Sequence, residues 1–176
     1  MNTPAYANVA LVGFMGSGKS SVGRLIARSL GGRFVDTDRL VVDHAGCEIT
    51  EIFATRGEAY FRSVESGVLR ALLGEAGLVV ATGGGIVTVA ENAGALTELG
   101  YVVWLDASEE VIWERVSRNS NRPLLHTENP RETMRRLLEA RNPMYQAVAN
   151  LRVDTSTLTH AEVAEIVCRE MRAAGK

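Results

Sequence analysis

The feature that most constrains the fold is the glycine-rich stretch at residues 13–20, Gly-Phe-Met-Gly-Ser-Gly-Lys-Ser. It fits the pattern G-x-x-x-x-G-K-[ST], in which successive backbone N–H groups turn inward on an anion. An apolar, strand-like run at residues 9–12 precedes it, and residues 21–30 follow with helical periodicity. This order predicts binding of a nucleoside triphosphate at a helix N-terminus. Within the loop, Lys19 can reach the β- and γ-phosphates, and the Ser20 hydroxyl can ligate Mg²⁺.

Composition sets the class of protein. The chain has 176 residues, which suits a single domain over residues 1–176 with a substantial core. A net charge of −2 without a basic block argues against nucleic acid as a partner. No apolar run has membrane-spanning length, and the N-terminus lacks signal-peptide features. Cys47 and Cys168 lack metal-ligand spacing, which is typical of unpaired thiols in a reducing compartment. We therefore expect a cytoplasmic protein, and we expect it to be a monomer.

Apolar runs alternate with helical patterns along the chain. Further strands are predicted at residues 33–36, 78–81, 101–105 and 151–154, with a polar helical region at 37–76 and helices near 91–98 and from 108. Capping signatures at residues 129–132 and 159–162 start two more helices. Strands separated by helices pair in parallel through right-handed crossovers. The sequence thus predicts an α/β, three-layer doubly wound sandwich around a parallel sheet of about five strands, with ligands beyond the strands' carboxyl ends.

Two predicted strands end in residues suited to phosphate chemistry. Asp36 and Asp38 leave the second strand at i and i+2, so one can face a metal and the other an acceptor. The alternative is structural, with Asp36 as a turn residue and Asp38 as a helix N-cap. The third strand ends in Thr82 and three glycines, which let backbone N–H groups approach a ligand closely. Because no acid stands there, we expect Asp36 to be the metal carboxylate.

Three arginines are candidates for binding carboxylate or phosphate oxygens, since planar guanidinium forks suit both. Each has a structural alternative: a surface ion-pair row for Arg62, solvent exposure for Arg122 and a helix C-terminus for Arg141. Arg115 is a weaker candidate for lining the nucleotide base. Arg122 lies in a polar segment between two helices, and we expect a mobile lid at about residues 115–129. The isolated histidines form no metal or base constellation, so we expect them to be structural or exposed: His44, His126 and His160.

The motifs together resemble the shikimate kinase family, which belongs to the nucleoside-monophosphate-kinase-like phosphate-loop (P-loop) kinases. The matching features run in family order over nearly the whole chain: residues 13–20, 36–38, 61–62, 82–85, 122–125 and 141–145. The phosphate loop is shared by many families, whereas the aspartate pair, the triple glycine and Arg-Pro-Leu-Leu together are more specific. The resemblance implies ATP-dependent phosphorylation of the shikimate 3-hydroxyl, giving shikimate 3-phosphate and ADP, in the chorismate and aromatic amino-acid pathway. It also implies a single kinase domain, with residues 37–76 binding the acceptor.

The resemblance also implies roles for individual residues. ATP phosphates would bind to Gly16, Ser17, Gly18, Lys19, Ser20 and Ser21, and Mg²⁺ would be held by Ser20 and Asp36. Asp38 would hydrogen-bond the shikimate hydroxyls and act as the base, while Arg122 would close from the lid and Arg115 would lie near the adenine. The shikimate carboxylate and ring would be held by Arg62, Arg141, Gly83, Gly84 and Gly85. Some family members place an arginine after the last strand. Here residues 154–158 lack one, so adenine contacts there fall to the backbone or to Ser156 and Thr157.

Two other functions remain open at the level of sequence. The first is another small-molecule kinase on the same scaffold, acting on a gluconate-like or nucleoside monophosphate acceptor; the paired arginines and triple glycine argue against it. The second is a catalytically inactive nucleotide-binding regulatory module. Retention of Lys19, Ser20, Asp36 and Asp38 argues against that module.

Overall fold

The computed structural model describes residues 8–118, 123–125 and 127–175. These residues form a five-stranded, all-parallel sheet with the strand order β2-β3-β1-β4-β5. The strands are β1 Val9–Val12, β2 Arg33–Asp36, β3 Leu78–Ala81, β4 Tyr101–Asp106 and β5 Leu151–Asp154. The predicted α/β fold class is confirmed. All five strands lie where the sequence predicts them, and β4 extends one residue further than expected.

Eight described helices surround the sheet. They are α1 Lys19–Leu30, α2 Thr37–Ala45, α3 Ile49–Thr55, α4 Gly57–Ala71, α5 Ala90–Leu99, α6 Glu109–Ser117, α7 Pro130–Val148 and α8 His160–Ala173. Short 3₁₀ turns lie at Ile86–Thr88 and Pro123–Leu125. In the part of the chain that the structure covers, no helix combines the length and apolar character needed to cross a membrane.

The predicted capping residues do start their helices. The Asn129 side chain accepts from Glu132 N, with Pro130 at the first helical position. Thr159 and Glu162 form a reciprocal capping box at the start of α8. The single helical region predicted after β2 is instead three helices. Gly46 ends α2 in the left-handed region, at φ 71°, a conformation that other residues adopt only with strain.

The inner strands β1 and β3 are buried on both faces, which explains their uninterrupted apolar sequences. All four residues of β1 have no exposed surface. Helices α1 and α8 cover one face through a cluster that includes Val22, Ile26, Val163 and Val167. The other face packs against residues of α5, α6 and α7. A smaller apolar cluster holds α2, α3 and α4 together, and this group stands beside the carboxyl ends of the strands.

Candidate active site

The phosphate loop adopts a path that its glycines permit. Gly16 and Gly18 have φ values of 80° and 94°, which favour glycine strongly. The Lys19 ammonium donates to Gly13 O and Phe14 O, both at 2.8 Å, and is largely buried. Ser17 is buried as well, and its N–H donates to Phe14 O at 3.2 Å. The loop is therefore folded around its own lysine at the N-terminus of α1.

Asp36 makes two contacts, one with each carboxylate oxygen. Oδ2 accepts from the Ser20 hydroxyl at 2.7 Å, and Oδ1 accepts from Asp38 N at 3.1 Å. Asp36 is thus the N-cap of α2, while Asp38 lies in its first turn. The structural alternative that made Asp38 the cap is wrong. A carboxylate and a hydroxyl this close are hard oxygen donors of the kind that Mg²⁺ prefers, so these residues fit a magnesium ion.

Two cavities adjoin at the ends of the strands. The first, of about 390 Å³, lies over the phosphate loop, and we call it the phosphate cavity. The second, of about 340 Å³, lies between the phosphate loop and helices α2, α3, α4 and α7, and we call it the acceptor cavity. Three residues line both cavities: Met15, Asp38 and Gly84. Asp38 therefore stands where ligands of the two cavities would meet.

Arg62 binds two glutamates at the wall of the acceptor cavity. Its Nη2 donates to Glu58 at 3.0 Å, and its Nη1 donates to Glu65 at 2.7 Å. The Arg62 side chain is only 12% exposed, and Glu65 is completely buried. Burial raises the pKa of the Glu65 carboxyl, although the nearby Arg62 guanidinium opposes that rise. The row of ion pairs that was the alternative for Arg62 is present on α4, but it is not solvated throughout, because Arg62 is largely buried, Glu65 is completely buried and only Glu58 is exposed.

Arg141 lies on the opposite wall, inside α7. It is 4% exposed, donates from Nη1 to Gly84 O at 3.3 Å and lies over the Phe14 ring at 5.7 Å. The alternative in which Arg141 complements a helix C-terminus is wrong, because α7 continues through Pro143 to Val148. Arg62 and Arg141 thus reach one cavity from two different helices.

The triple glycine allows the charged side chains to pack against the backbone. A Cβ on Gly83 would lie 2.3 Å from Glu65 Oε1, and one on Gly85 would lie 2.3 Å from both terminal nitrogens of Arg62. Gly83 N donates to the Thr37 hydroxyl at 3.0 Å. No acceptor in the described parts of the chain binds Gly84 N or Gly85 N. The expected close backbone approach is therefore available at these two positions.

Arg115 lines the phosphate cavity from α6. It donates to Gly16 O at 3.2 Å and to Thr155 O at 3.0 Å, so it links the phosphate loop to the segment after β5. The hydroxyl of Ser156 accepts from Ser108 N at 2.9 Å. Arg122 and His126, with part of the predicted lid, lie outside the described residues.

Comparison with known proteins identifies the relatives of this chain. A family model described as shikimate kinase matches residues 15–172. A curated shikimate kinase from Thermodesulfovibrio yellowstonii is 45% identical over 163 residues, which cover 93% of this chain and 94% of the relative. One from Geobacter sulfurreducens is 50% identical over 149 residues, covering 85% and 82%. The chain belongs to the shikimate kinase family.

Solved structures show the same relationship. A shikimate kinase from Acinetobacter baumannii in complex with shikimate is 38% identical, with a TM-score of 0.94 and coverage of 97% of this chain and 96% of that one. A gluconokinase from Sinorhizobium meliloti, at 20% identity and a TM-score of 0.61, shares the fold alone; it covers 98% of this chain and 97% of its own. The predicted shikimate kinase function, that of an ATP-dependent phosphotransferase, is confirmed.

The sequence reasoning missed several residues around the shikimate kinase cavities. Glu65 had a signal, because it stands four residues after Phe61 and four before Leu69, both on the buried face of α4. Phe53 and Phe61 form an aromatic wall of the acceptor cavity, with ring centroids 5.0 Å apart. His160 is exposed, as expected, and it also lines the phosphate cavity beside Gly18, a position that was not predicted. Its position depends on how α8 packs, which no local pattern reveals.

Proposed function

We propose that this chain transfers the γ-phosphoryl group of ATP to the 3-hydroxyl of shikimate, giving shikimate 3-phosphate and ADP. The observation that supports this most directly is the meeting of the phosphate and acceptor cavities at Asp38 and Gly84. An acceptor in one cavity would face the terminal phosphate of a nucleotide in the other. The A. baumannii relative was solved with shikimate, which supports shikimate as the acceptor here.

The acceptor cavity suits a small anionic ring. Arg62 and Arg141 would bind the carboxylate of shikimate as planar, bidentate partners. Gly84 N and Gly85 N are available for an oxygen of the ring, while Phe53 and Phe61 supply an apolar wall. Two fixed guanidinium groups at one end orient the ring, so a hydroxyl at the other end can point towards Asp38.

Asp38 would act on the attacking hydroxyl. As the hydroxyl oxygen forms its bond to the γ-phosphorus, the bond to the β–γ bridging oxygen breaks, and ADP leaves with that electron pair. The hydroxyl proton passes to the Asp38 carboxylate. Asp38 lies in the first turn of α2 and lines both cavities, so a substrate hydroxyl between them can come within reach.

The phosphate loop would hold the other substrate. Backbone N–H groups of residues 16–21 and the Lys19 ammonium would bind the ATP phosphates. Ser20 and Asp36 would hold Mg²⁺, which supplies positive charge at the β- and γ-phosphates when it is bound. Arg115 would lie near the adenine of the bound nucleotide. We also keep Arg122 as the lid residue that closes onto the phosphates and excludes water.

We further propose that the protein works as a cytoplasmic monomer with a single kinase domain. The residues proposed to bind the acceptor and the phosphates all belong to this chain, so the proposed site does not require a second copy. Cys47 and Cys168 are free thiols in the structure, which supports a reducing compartment.

The proposal is tested by measuring ADP release from Mg-ATP with and without shikimate, in the wild type and in Asp38→Asn. We expect shikimate-dependent ADP release in the wild type and a loss of about 10²–10⁴-fold in kcat in the variant, the usual contribution of a general base. ATP binding and the unfolding midpoint should be retained.

The matched control is Asp43→Asn on the same helix, where Asp43 is exposed and pairs with Arg39 at 3.1 Å. This variant should keep wild-type activity. Near-normal kcat in Asp38→Asn would refute a charged role for Asp38. A wild type that binds ATP but does not respond to shikimate would refute the proposed acceptor.

A further inference from the structure

A buried tyrosine reaches the glycine run from behind the acceptor cavity. The Tyr145 hydroxyl donates to Gly84 O, the same carbonyl that accepts from Arg141. Tyr145 stands four residues after Arg141 on α7, so the two side chains leave the same face of the helix. Its ring has no exposed surface and packs on Trp104 with centroids 6.0 Å apart. Tyr145 itself does not line either cavity described above.

We propose that Tyr145 is a positioning residue for the acceptor: it fixes the Gly84 carbonyl, and through it the backbone donors and the Arg141 fork that bind shikimate. This inference rests on the proposed function. It assigns a role to a residue that touches neither substrate, and it explains why a hydroxyl is buried on this face of α7.

The first step of the argument concerns the backbone. Three glycines in a row have the greatest conformational freedom of any tripeptide, so their peptide planes need outside restraint. The ends of the run are restrained, since Gly83 N donates to Thr37 and Gly85 O accepts from Thr88. The middle peptide is held through Gly84 O. Because that peptide is planar and trans, fixing the carbonyl of Gly84 also fixes the direction of Gly85 N–H.

The second step concerns Arg141. Gly84 O accepts from both Tyr145 and Arg141, and the Arg141 contact is the longer of the two at 3.3 Å. Without the hydroxyl, the guanidinium would be the remaining donor from α7 to a largely buried carbonyl. It would be drawn towards that carbonyl and away from a carboxylate in the cavity, since leaving a carbonyl poorly paired is unfavourable.

The third step concerns which ligand is affected. Arg141 and Gly85 line the acceptor cavity and not the phosphate cavity, whereas Gly84 itself lines both. Burial raises the pKa of Tyr145, so its hydroxyl remains a neutral donor throughout the working pH range. Because both groups that the Gly84 carbonyl positions, Gly85 N–H and the Arg141 guanidinium, belong to the acceptor cavity alone, removing the hydroxyl should weaken acceptor binding more than nucleotide binding.

The test is Tyr145→Phe, which keeps the ring on Trp104 and removes the donor alone. We expect the KM and the equilibrium Kd of shikimate to rise about 5–10-fold, as for loss of a well-formed neutral hydrogen bond. The KM of ATP and the Kd of ADP should stay within about twofold. Tyr101→Phe is the matched control, because Tyr101 begins β4 at the end of the sheet away from the cavities, and it should change neither substrate.

The possible outcomes separate the hypotheses. A selective loss of shikimate affinity supports positioning by Tyr145. An equal loss for both substrates, or unchanged constants with a lower unfolding midpoint, overturns it and makes Tyr145 a packing residue only. A wild type without shikimate-dependent ADP release refutes the proposed function instead, and that result is read before any variant is compared.

Discussion

Replacing Gly85 by alanine tests whether Arg62 binds the acceptor, because the added methyl group displaces the guanidinium without changing any charge. The new Cβ would lie 2.3 Å from both terminal nitrogens of Arg62, whereas ordinary contact begins at 3.4 Å. The guanidinium must therefore retreat by more than 1 Å. A retreat of that size takes a charge-assisted hydrogen bond to a carboxylate out of range. Since such a bond contributes about 1.5–3 kcal/mol, we expect shikimate affinity to fall about 10–150-fold.

The fold should tolerate this substitution. Gly85 has φ −100°, which alanine adopts without strain, and the clashing atoms are the end of a flexible side chain. The ion pair from Arg62 to buried Glu65 is stretched, so we expect a loss of about 1 kcal/mol and a midpoint lower by roughly 2–4 °C.

Isothermal titration with shikimate and with ADP measures both affinities, and thermal unfolding measures the midpoint. Gly94→Ala is the control, because Gly94 is exposed on α5 and its Cβ would meet nothing within 4 Å. If Gly85→Ala binds shikimate as well as the wild type does, Arg62 does not bind the acceptor. If ADP affinity falls in parallel, the substitution has disturbed the whole site.

Two further substitutions probe the fold around the site. Burial raises the pKa of Glu65 above its ordinary 4.5, so its contribution to stability is largest below that pH and is lost as the pH rises through the folded value. In urea unfolding, the stability of the wild type relative to Glu65→Gln should thus decline as the pH rises above about 4.5, and a difference that does not depend on pH would contradict a raised pKa for Glu65. Gly23→Ala places a Cβ 2.7 Å from the Phe34 ring, so we expect a net loss of about 1–2 kcal/mol despite better helix propensity. The affinities for ATP and for shikimate should be unchanged in Gly23→Ala. Unchanged stability of this variant would show that Phe34 can move aside. The control is Gly67→Ala, whose Cβ would meet nothing within 4 Å, and it should not lower the stability.

The strands could be predicted closely because their environment is simple. A parallel strand covered on both faces is an apolar run with sharp ends, and the phosphate loop fixes the first of them. The helices after β2 were harder to predict, since Gly46 and Gly57 interrupt a helical pattern that otherwise continues. Local rules place a glycine break within a residue or two, but they do not show that three helices fold back on one another.

The site residues likewise fall into those that the sequence predicted and those that it did not. Asp36 and Asp38 were predicted at the site from their place after a strand, but a two-residue spacing did not reveal which would cap α2. Arg62 and Arg141 lie far apart in the chain, so only the resemblance to a family brought them to one ligand. The burial of Arg141 was unexpected because Pro143 suggests that a helix ends there, and α7 instead continues past it. Tyr145 ends a stretch, residues 141–145, that matches the family, but its local periodicity does not distinguish it from a core residue.

The segment of the chain that supplies the acceptor cavity determines how acceptor preference can be redesigned. Most of the acceptor cavity comes from one uninterrupted crossover between β2 and β3, so a different specificity is in principle a single-segment graft. The N-terminal boundary of such a graft is fixed, however. Asp36 caps the first grafted helix while it accepts from Ser20 in the phosphate loop, so a donor segment that starts without an aspartate there would lose its helix start and the loop contact together. Acceptor libraries for this scaffold should therefore diversify positions after Asp38.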